Sequence, residues 1–278
     1  MSLFITSLNS GSNGNCYYVG NEQEAVLIDA GISCRETEKR MRRLGLLMEK
    51  VKAIFISHEH GDHISGVAVL AKKHNLPVYI TPDTFTHGRL LIEKERIRSF
   101  TAHKPIMIGS LSVTAFPKFH DASDPHSFIV SNGSVNVGVF TDLGIACDQL
   151  ANYFKQCHAA FLETNYDAVM LENGSYPYHL KNRIRGGMGH LSNEQALQLF
   201  LDHRPTFMSH LLLAHLSKNN NDPALVEDLF NQHAGNTQIV VASRYKETPV
   251  FHITLSGDAY IVPKKIVLKK NQLQLSLF

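Results

Sequence analysis

The chain has 278 residues, 44% of them hydrophobic, which is enough to bury a sizeable core in one large domain or two small ones. Its formal charge is only +2, so composition argues neither for nor against a nucleic-acid partner, and no apolar stretch approaches a membrane span. The start lacks the basic and long apolar regions of a secretory leader, and Cys16, Cys34, Cys147 and Cys157 stand at no metal or redox spacing, so a cytoplasmic protein with reduced thiols and no membrane partner is expected.

Residues 3–29 are predicted to form two or three strands, interrupted by a Gly/Ser/Asn run over 9–15 that reads on its residues alone as a plain turn. A helix is expected over 35–46, then a short buried strand over 53–56. That strand runs into His58-Glu-His60-Gly-Asp62-His63, after which Val67, Leu70 and Ala71 fall at the spacing of a helix beginning at Ile64. In extended backbone His58 and His60 point to the same side, while Asp62 and His63 follow where the chain turns. A single histidine there would read as an ordinary surface or core residue. Three imidazoles and a carboxylate crowded within six positions instead form a borderline-hard ligand set whose pairs could face two neighbouring metals.

Beyond this turn the pattern predicts a helix end and strand over 73–80, a helix over 84–98 with its Lys and Arg on a solvated face, and strands over 106–119. Phe119-His120-Asp-Ala-Ser-Asp-Pro125-His126 leads into a strand over 127–130. A strand over 137–142 ends in Asp142, which by itself reads as a helix cap, and another over 160–163 ends in Glu163. Gly189-His190-Leu-Ser-Asn-Glu opens an amphipathic helix capped by Ser192 or Asn193, and a strand over 211–215 ends in His215. One domain over 1–263 and a basic tail over 264–278 are expected.

His58-x-His60-x-Asp62-His63 resembles the signature of the metallo-β-lactamase superfamily. The resemblance implies an α/β fold, a four-layer αββα sandwich with two divalent ions at its edge, zinc first and manganese as the alternative, since both accept a His/Asp set. It also implies the remaining ligands. His120 matches the third histidine; it directly follows an alternating strand, whereas the competing His126 lies past a proline turn. By the same resemblance His58, His60 and His120 hold one ion, Asp62, His63 and His215 the other, and Asp142 bridges them. Asp29-Ala-Gly31 resembles the family's first motif, whose Asp supports the ligand loops, and the loop between the first strands borders the site.

Glu163 and Gly189-His190-Leu-Ser192 are similar to segments of tRNA 3′-processing ribonucleases, in which a histidine oriented by a strand-end glutamate stabilises the phosphate and serves the leaving group. With Ser10-Gly-Ser-x-Gly-Asn-Cys16, Asp29-Ala-Gly-x-Ser33 and Leu213-Ala-His-Leu-Ser-x-Asn-Asn220, the likeness extends over nearly the whole chain to the WalJ/YycJ branch of exonuclease-like proteins. Leu143 where Thr is common and the extra imidazole of His126 depart from the pattern without removing a ligand. No long insertion separates Asp142 from His215, so the β-CASP clamp domain of some nucleases is not expected. The resemblance thus implies a phosphodiesterase, a DNA exonuclease of repair or replication, with Asp62, His190 and Glu163 as catalytic residues and a metal-bridging hydroxide attacking phosphorus in line. His190 would act as acid. Lys181, Arg183 and Arg185 would give a positive flank, although any one of them alone reads more readily as a solvated face. An RNA-directed nuclease, or hydrolysis of a lactone, thioester or cyclic phosphate on the same centre, are the alternatives.

At the end of the chain, Gln274-Leu275-Ser276-Leu277-Phe278 resembles the short peptide by which bacterial replication and repair proteins attach to the sliding DNA clamp, an extended segment with a polar Gln and apolar anchors. Alternation of Leu273, Leu275 and Leu277 is equally that of one more edge strand.

Overall fold

The computed structural model describes residues 2–255 and 260–261. Its strands are β1 (Ser2–Asn9), β2 (Cys16–Gly20), β3 (Ala25–Ile28), β4 (Val51–Phe55), β5 (Val78–Tyr79), β6 (Ile97–Arg98), β7 (Ile106–Ile108), β8 (Leu111–Pro117), β9 (His126–Ser131), β10 (Asn136–Phe140), β11 (Ala159–Glu163), β12 (His210–Ala214), β13 (Gln238–Val241), β14 (Phe251–Thr254) and β15 (Tyr260–Ile261). They make an 8-stranded sheet in the order β15-β14-β1-β2-β3-β4-β5-β6 and a 7-stranded sheet in the order β13-β12-β11-β10-β9-β8-β7. The helices are α1 (Cys34–Arg43), α2 (Gly61–Ile64), α3 (Val67–His74), α4 (Pro82–His87), α5 (Asp148–Phe154), α6 (Ala168–Asn173), α7 (Tyr178–Arg185), α8 (Asn193–His203) and α9 (Pro223–Asn231).

Three apolar layers hold these elements together. Tyr17, Phe55, Phe128, Phe161 and Phe251 fill the space between the sheets; Met41, Val67 and Leu70 pack α1 and α3 on the outside of the first sheet; Phe154, Phe200 and Phe230 pack α5, α8 and α9 on the outside of the second. The result is the helix–sheet–sheet–helix sandwich expected from the resemblance. Because β3–β4–β5 and β10–β11–β12–β13 run parallel, their carboxyl ends gather along one edge of the sandwich. Such strands are covered on both faces, which is why β11 and β12 read as near-continuous apolar runs, with Glu163 last in one and His210 first in the other as their polar residues.

The ligand turn is locked onto the loop after β3 by close backbone approach. Asn15 N–H and Ala30 N–H donate to the carbonyls of Asp62 and His63, and a Cβ on Gly31 would fall 1.7 Å from Asp62 O. A second glycine, Gly66, lies under the carbonyl of Ile32, where a Cβ would stand 1.9 Å away. This contact splits the helix expected from Ile64 onward into α2 and α3. The helix predicted over 84–98 is a correction: α4 ends at His87, and the chain then runs extended into a 3₁₀ turn and β6. Leu90 and Ile92 pack against the outer cluster while Leu91 is 91% exposed, an alternation of period two rather than helical spacing. Residues 264–278, with the clamp-like peptide 274–278, lie outside the described residues. Among the described residues no helix is long and apolar enough to cross a membrane.

Candidate metal centre

The strand ends bring the seven expected ligands, with Glu163 and His190, to one place. His58 and His60 leave β4, Asp62 and His63 sit on the short α2, His120 follows β8, Asp142 follows β10, Glu163 ends β11, His190 precedes α8 and His215 follows β12. His126 does not join them. It opens β9 with its ring edge-on to Phe100 and its Nδ1 2.9 Å from the carbonyl of Asp124. Asp29, Asp142 and His215 take positive φ values of 61°, 56° and 56°, a left-handed backbone that costs a non-glycine residue free energy and that clusters at sites where the surrounding structure enforces it.

Two sets of donor atoms converge. His58 Nε2, His60 Nδ1 and His120 Nε2 form one, with His60 Nδ1 at 3.1 Å from His58 and 3.3 Å from His120. His63 Nε2, His215 Nε2 and Asp62 Oδ2 form the other, the carboxylate oxygen lying 3.5 and 3.4 Å from the two imidazoles. Asp142 stands between the sets, Oδ2 at 3.1 Å from His63 Nε2 and Oδ1 at 3.8 Å from His120 Nε2.

The far side of four of these rings, those of His58, His63, His120 and His215, is already engaged. Asp29 Oδ2 accepts from Ser57 Oγ and from His63 Nδ1 at 2.8 and 2.7 Å, and Ser57 Oγ lies 2.9 Å from His58 Nδ1. His120 Nδ1 donates to Gly189 O at 3.0 Å, and His215 Nδ1 donates to Glu163 Oε1 at 2.8 Å. A ring nitrogen that donates outward fixes the tautomer and leaves the other nitrogen bare toward the centre, the arrangement in which imidazole binds a metal. Asp142 Oδ2 and His215 Nε2 are buried without a hydrogen bond of acceptable geometry, so these atoms point at a common space more than at each other. The residues therefore fit two divalent ions.

Glu163 is a different case, although it lies within reach of the same group. Its Oε1 accepts from both His190 Nδ1 and His215 Nδ1 at 2.8 Å, and its Oε2 accepts from the backbone N–H of Leu143 and Leu191 at 2.7 and 3.2 Å. With both oxygens committed it orients imidazoles rather than offering a ligand atom. Sequence reasoning missed Asn15, whose Nδ2 lies 3.1 Å from Asp62 Oδ2 and from His63 Nε2, and Ser10, whose Oγ accepts the His215 N–H at 2.7 Å. Both sit in the run read as a plain turn, and short polar side chains between strands carry no periodic signal. Also unforeseen was Lys118, buried with Nζ 2.7 Å from Thr141 O.

The mouth is a cleft of about 390 Å³ lined by His60, Asp62, His190 and His215 from the centre and by Tyr176 and Arg183 from the α6–α7 side. Of the three cations expected to flank it, only Arg183 lines it, paired with Asp121; Lys181 and Arg185 turn to Glu172.

Electrostatics separate the two donor sets. Burial pushes His58 well below the usual imidazole range, with the charge on His63 adding to it, and burial brings His120 down to about 4. For His63 burial opposes the charged form, but Asp142, Asp29 and Asp62 together raise it to about 10. His215 is likewise raised well above its ordinary value, against burial, by Asp142, Asp62 and Glu163. Burial works to raise Glu163, yet His190 and His215 hold it down at about 2, so it stays ionised.

Known proteins show the family of this chain. Residues 24–215 match the beta-lactamase superfamily domain. The chain is 35% identical to exodeoxyribonuclease YycJ of Bacillus anthracis over 80% of its own length and 85% of that protein, and 31% identical to exodeoxyribonuclease WalJ of Streptococcus pneumoniae over 77% and 81%. Among solved structures, the metallo-beta-lactamase fold protein YhfI of Bacillus subtilis superposes with a TM-score of 0.69 at 17% identity, covering 89% of this chain and 99% of that one.

Without ions, the carboxylates that face both ring nitrogens favour the charged forms of His63 and His215, with a proton on the nitrogen that an ion would take. An ion must displace those protons, whereas His58 and His120 are already neutral. Zinc uptake at pH 7 is therefore expected to release about two protons per chain, and apparent affinity should rise with pH through neutrality by about tenfold per unit for each proton displaced. Calorimetry in buffers of different ionisation enthalpy reads this number; binding without proton release would contradict the assignment.

Proposed function

The chain belongs to the beta-lactamase superfamily, and from that membership and the site's geometry we propose that it is a DNA exonuclease of repair or replication working through two divalent ions, zinc or, as the alternative, manganese. A metal-dependent hydrolase of nuclease type already follows from relatives named exodeoxyribonuclease that are aligned over most of its length. The observation that carries the finer reading is the shared carboxylate: Glu163 Oε1 takes hydrogen bonds from His215, on the ligand cluster, and from His190, whose side chain is 21% exposed to the cleft. Hydrolysis of a small ester needs no such second imidazole beside the centre.

Bound divalent ions would supply Lewis acidity toward a phosphate and lower the pKa of a water. The chain's own residues do the rest. His58, His60, His120, Asp62, His63, His215 and Asp142 hold the ions. His190 donates Nδ1–H to Glu163, which keeps the ring turned so that Nε2 faces the cleft and delivers a proton to the departing oxygen of the diester. Glu163 stays ionised beside it and holds its ring in place. Asp62, lowered below the usual carboxylate range by His63 and His215 in spite of its burial, is the acceptor for a proton leaving the attacking water. Arg183 on the rim offers a contact to the phosphate backbone.

His190→Ala is expected to keep its metal content while slowing phosphodiester cleavage roughly 10²-fold or more, and Glu163→Gln to show a weaker form of the same defect. His60→Ala and Asp142→Ala should lose ions and activity together. Metal analysis alongside cleavage rates separates these classes, and a His190→Ala protein that cleaves DNA normally removes the acid from this scheme. We further propose that residues 1–263 form one domain and that the tail ties it to the sliding clamp through Gln274, Leu275, Ser276, Leu277 and Phe278. Deleting 274–278 should then abolish clamp association in a pull-down and leave cleavage of short oligonucleotides unchanged; a full-length protein with no affinity for the clamp returns the tail to a structural role.

A further inference from the structure

A second hollow of about 310 Å³ opens beside the cleft. Its floor is apolar, with Leu216, Val241 and Ala242, and its rim carries Lys218, Arg244 and Lys246 with Tyr245, 72% exposed, among them. No carboxylate lines it, and among the described residues none of these cations forms an ion pair. Glu247, the next residue along, is taken up by Arg43 at 2.6 Å. Cations gathered around an apolar floor with no carboxylate among them make a local positive field open to an anionic partner.

The hollow is continuous with the cleft. Ser217 lines both, and Arg244 Nη2 donates at 3.2 Å to the hydroxyl of Ser12, itself on the cleft wall. The other guanidinium nitrogen, Arg244 Nη1, is buried without a hydrogen-bond partner. The wall is also held in place: Arg40 Nη2 donates to Tyr245 O at 3.2 Å, Asn13 Nδ2 to Arg244 O at 2.9 Å, and Ser10 N–H to Ser243 O at 3.2 Å. The same loop over 10–15 thus carries Asn15 into the metal centre and braces this rim.

Resting on the phosphodiesterase reading above, we infer that the hollow is the track of a single nucleic-acid strand whose terminus lies in the cleft. Lys218 and Lys246 meet backbone phosphates, with the charge of Arg244 behind them, and a base enters over the apolar floor and stacks on Tyr245. Phosphate charge and an exposed aromatic face are the two features by which proteins hold single strands irrespective of sequence. A duplex presents its bases already stacked, so Tyr245 has nothing to offer it. The track therefore selects a frayed or single-stranded end.

The test uses the metal-loaded full chain and fluorescently labelled phosphorothioate oligothymidylate and oligouridylate, which resist cleavage. Lys218→Ala/Lys246→Ala is expected to weaken binding about tenfold or more and to flatten the dependence of log affinity on log salt by about 0.7 for each phosphate no longer neutralised. Tyr245→Ala should weaken binding about tenfold with the salt dependence unchanged, and Tyr245→Phe should restore it. Hydrolysis of bis(p-nitrophenyl) phosphate, which fills the cleft alone, reports the metal centre separately. Unaltered affinity in both variants, or a wild-type protein that hydrolyses the small diester and binds neither oligonucleotide, overturns the track while leaving the phosphodiesterase reading in place. A wild-type protein that hydrolyses no phosphodiester overturns that reading and the track with it.

Discussion

Imidazoles and carboxylates are concentrated at one end of two apolar sheets, and the fold around them is arranged to make that burial tolerable. An unpaired buried charge costs several kcal/mol, so each ionisable group needs a partner aimed at it. Asp29 and Glu163, both fully buried, are those partners, one behind His63 and the other behind His190 and His215. Their outward hydrogen bonds turn the free ring nitrogens inward. What is left unpaired, Asp142 Oδ2 and His215 Nε2, points into the space between the donor sets.

This geometry depends on strand ends more than on loops. The parallel strands deliver Glu163, Asp142 and His215 at fixed register, and left-handed backbone at Asp29, Asp142 and His215 turns each chain sharply enough to present its side chain across the edge. The first-strand loop closes the arrangement from the other side. Through Asn15 it touches the ligand turn, through Ser10 it holds the backbone of His215, and through Asn13 it braces the basic rim beside the cleft. The candidate metal centre and the basic rim thus share one short segment.

Much of this is legible in the residues. The spacing of His58, His60, Asp62 and His63 is enough to propose a metal centre. His120 rather than His126 lies in the cluster because only His120 sits at the open end of its strand, while His126 is drawn into pairing at the start of β9. Ser192 is the helix cap, with Gln195 completing a reciprocal pair. The remainder is hidden for physical reasons. Asn15 and Ser10 act through tertiary hydrogen bonds that leave no pattern, and the close approach of Gly31 to Asp62 is a tertiary event with no local signature. The expected helix over 84–98 fails because its Lys and Arg residues have good helix propensity, while Leu90, Ile92 and Ile97 obtain more burial against the sheet in extended form.

The central claim is that this edge of the sandwich hydrolyses DNA from an end by means of bound divalent ions. End-labelled single-stranded DNA, the matching RNA and a thioester, each incubated with protein loaded with zinc or manganese and then with chelator, test it most directly. Stepwise release of nucleotides from DNA, slower release from RNA, and cessation of both on chelation are the predicted results. Intact DNA in the presence of a fully loaded protein that turns over the thioester would contradict the claim.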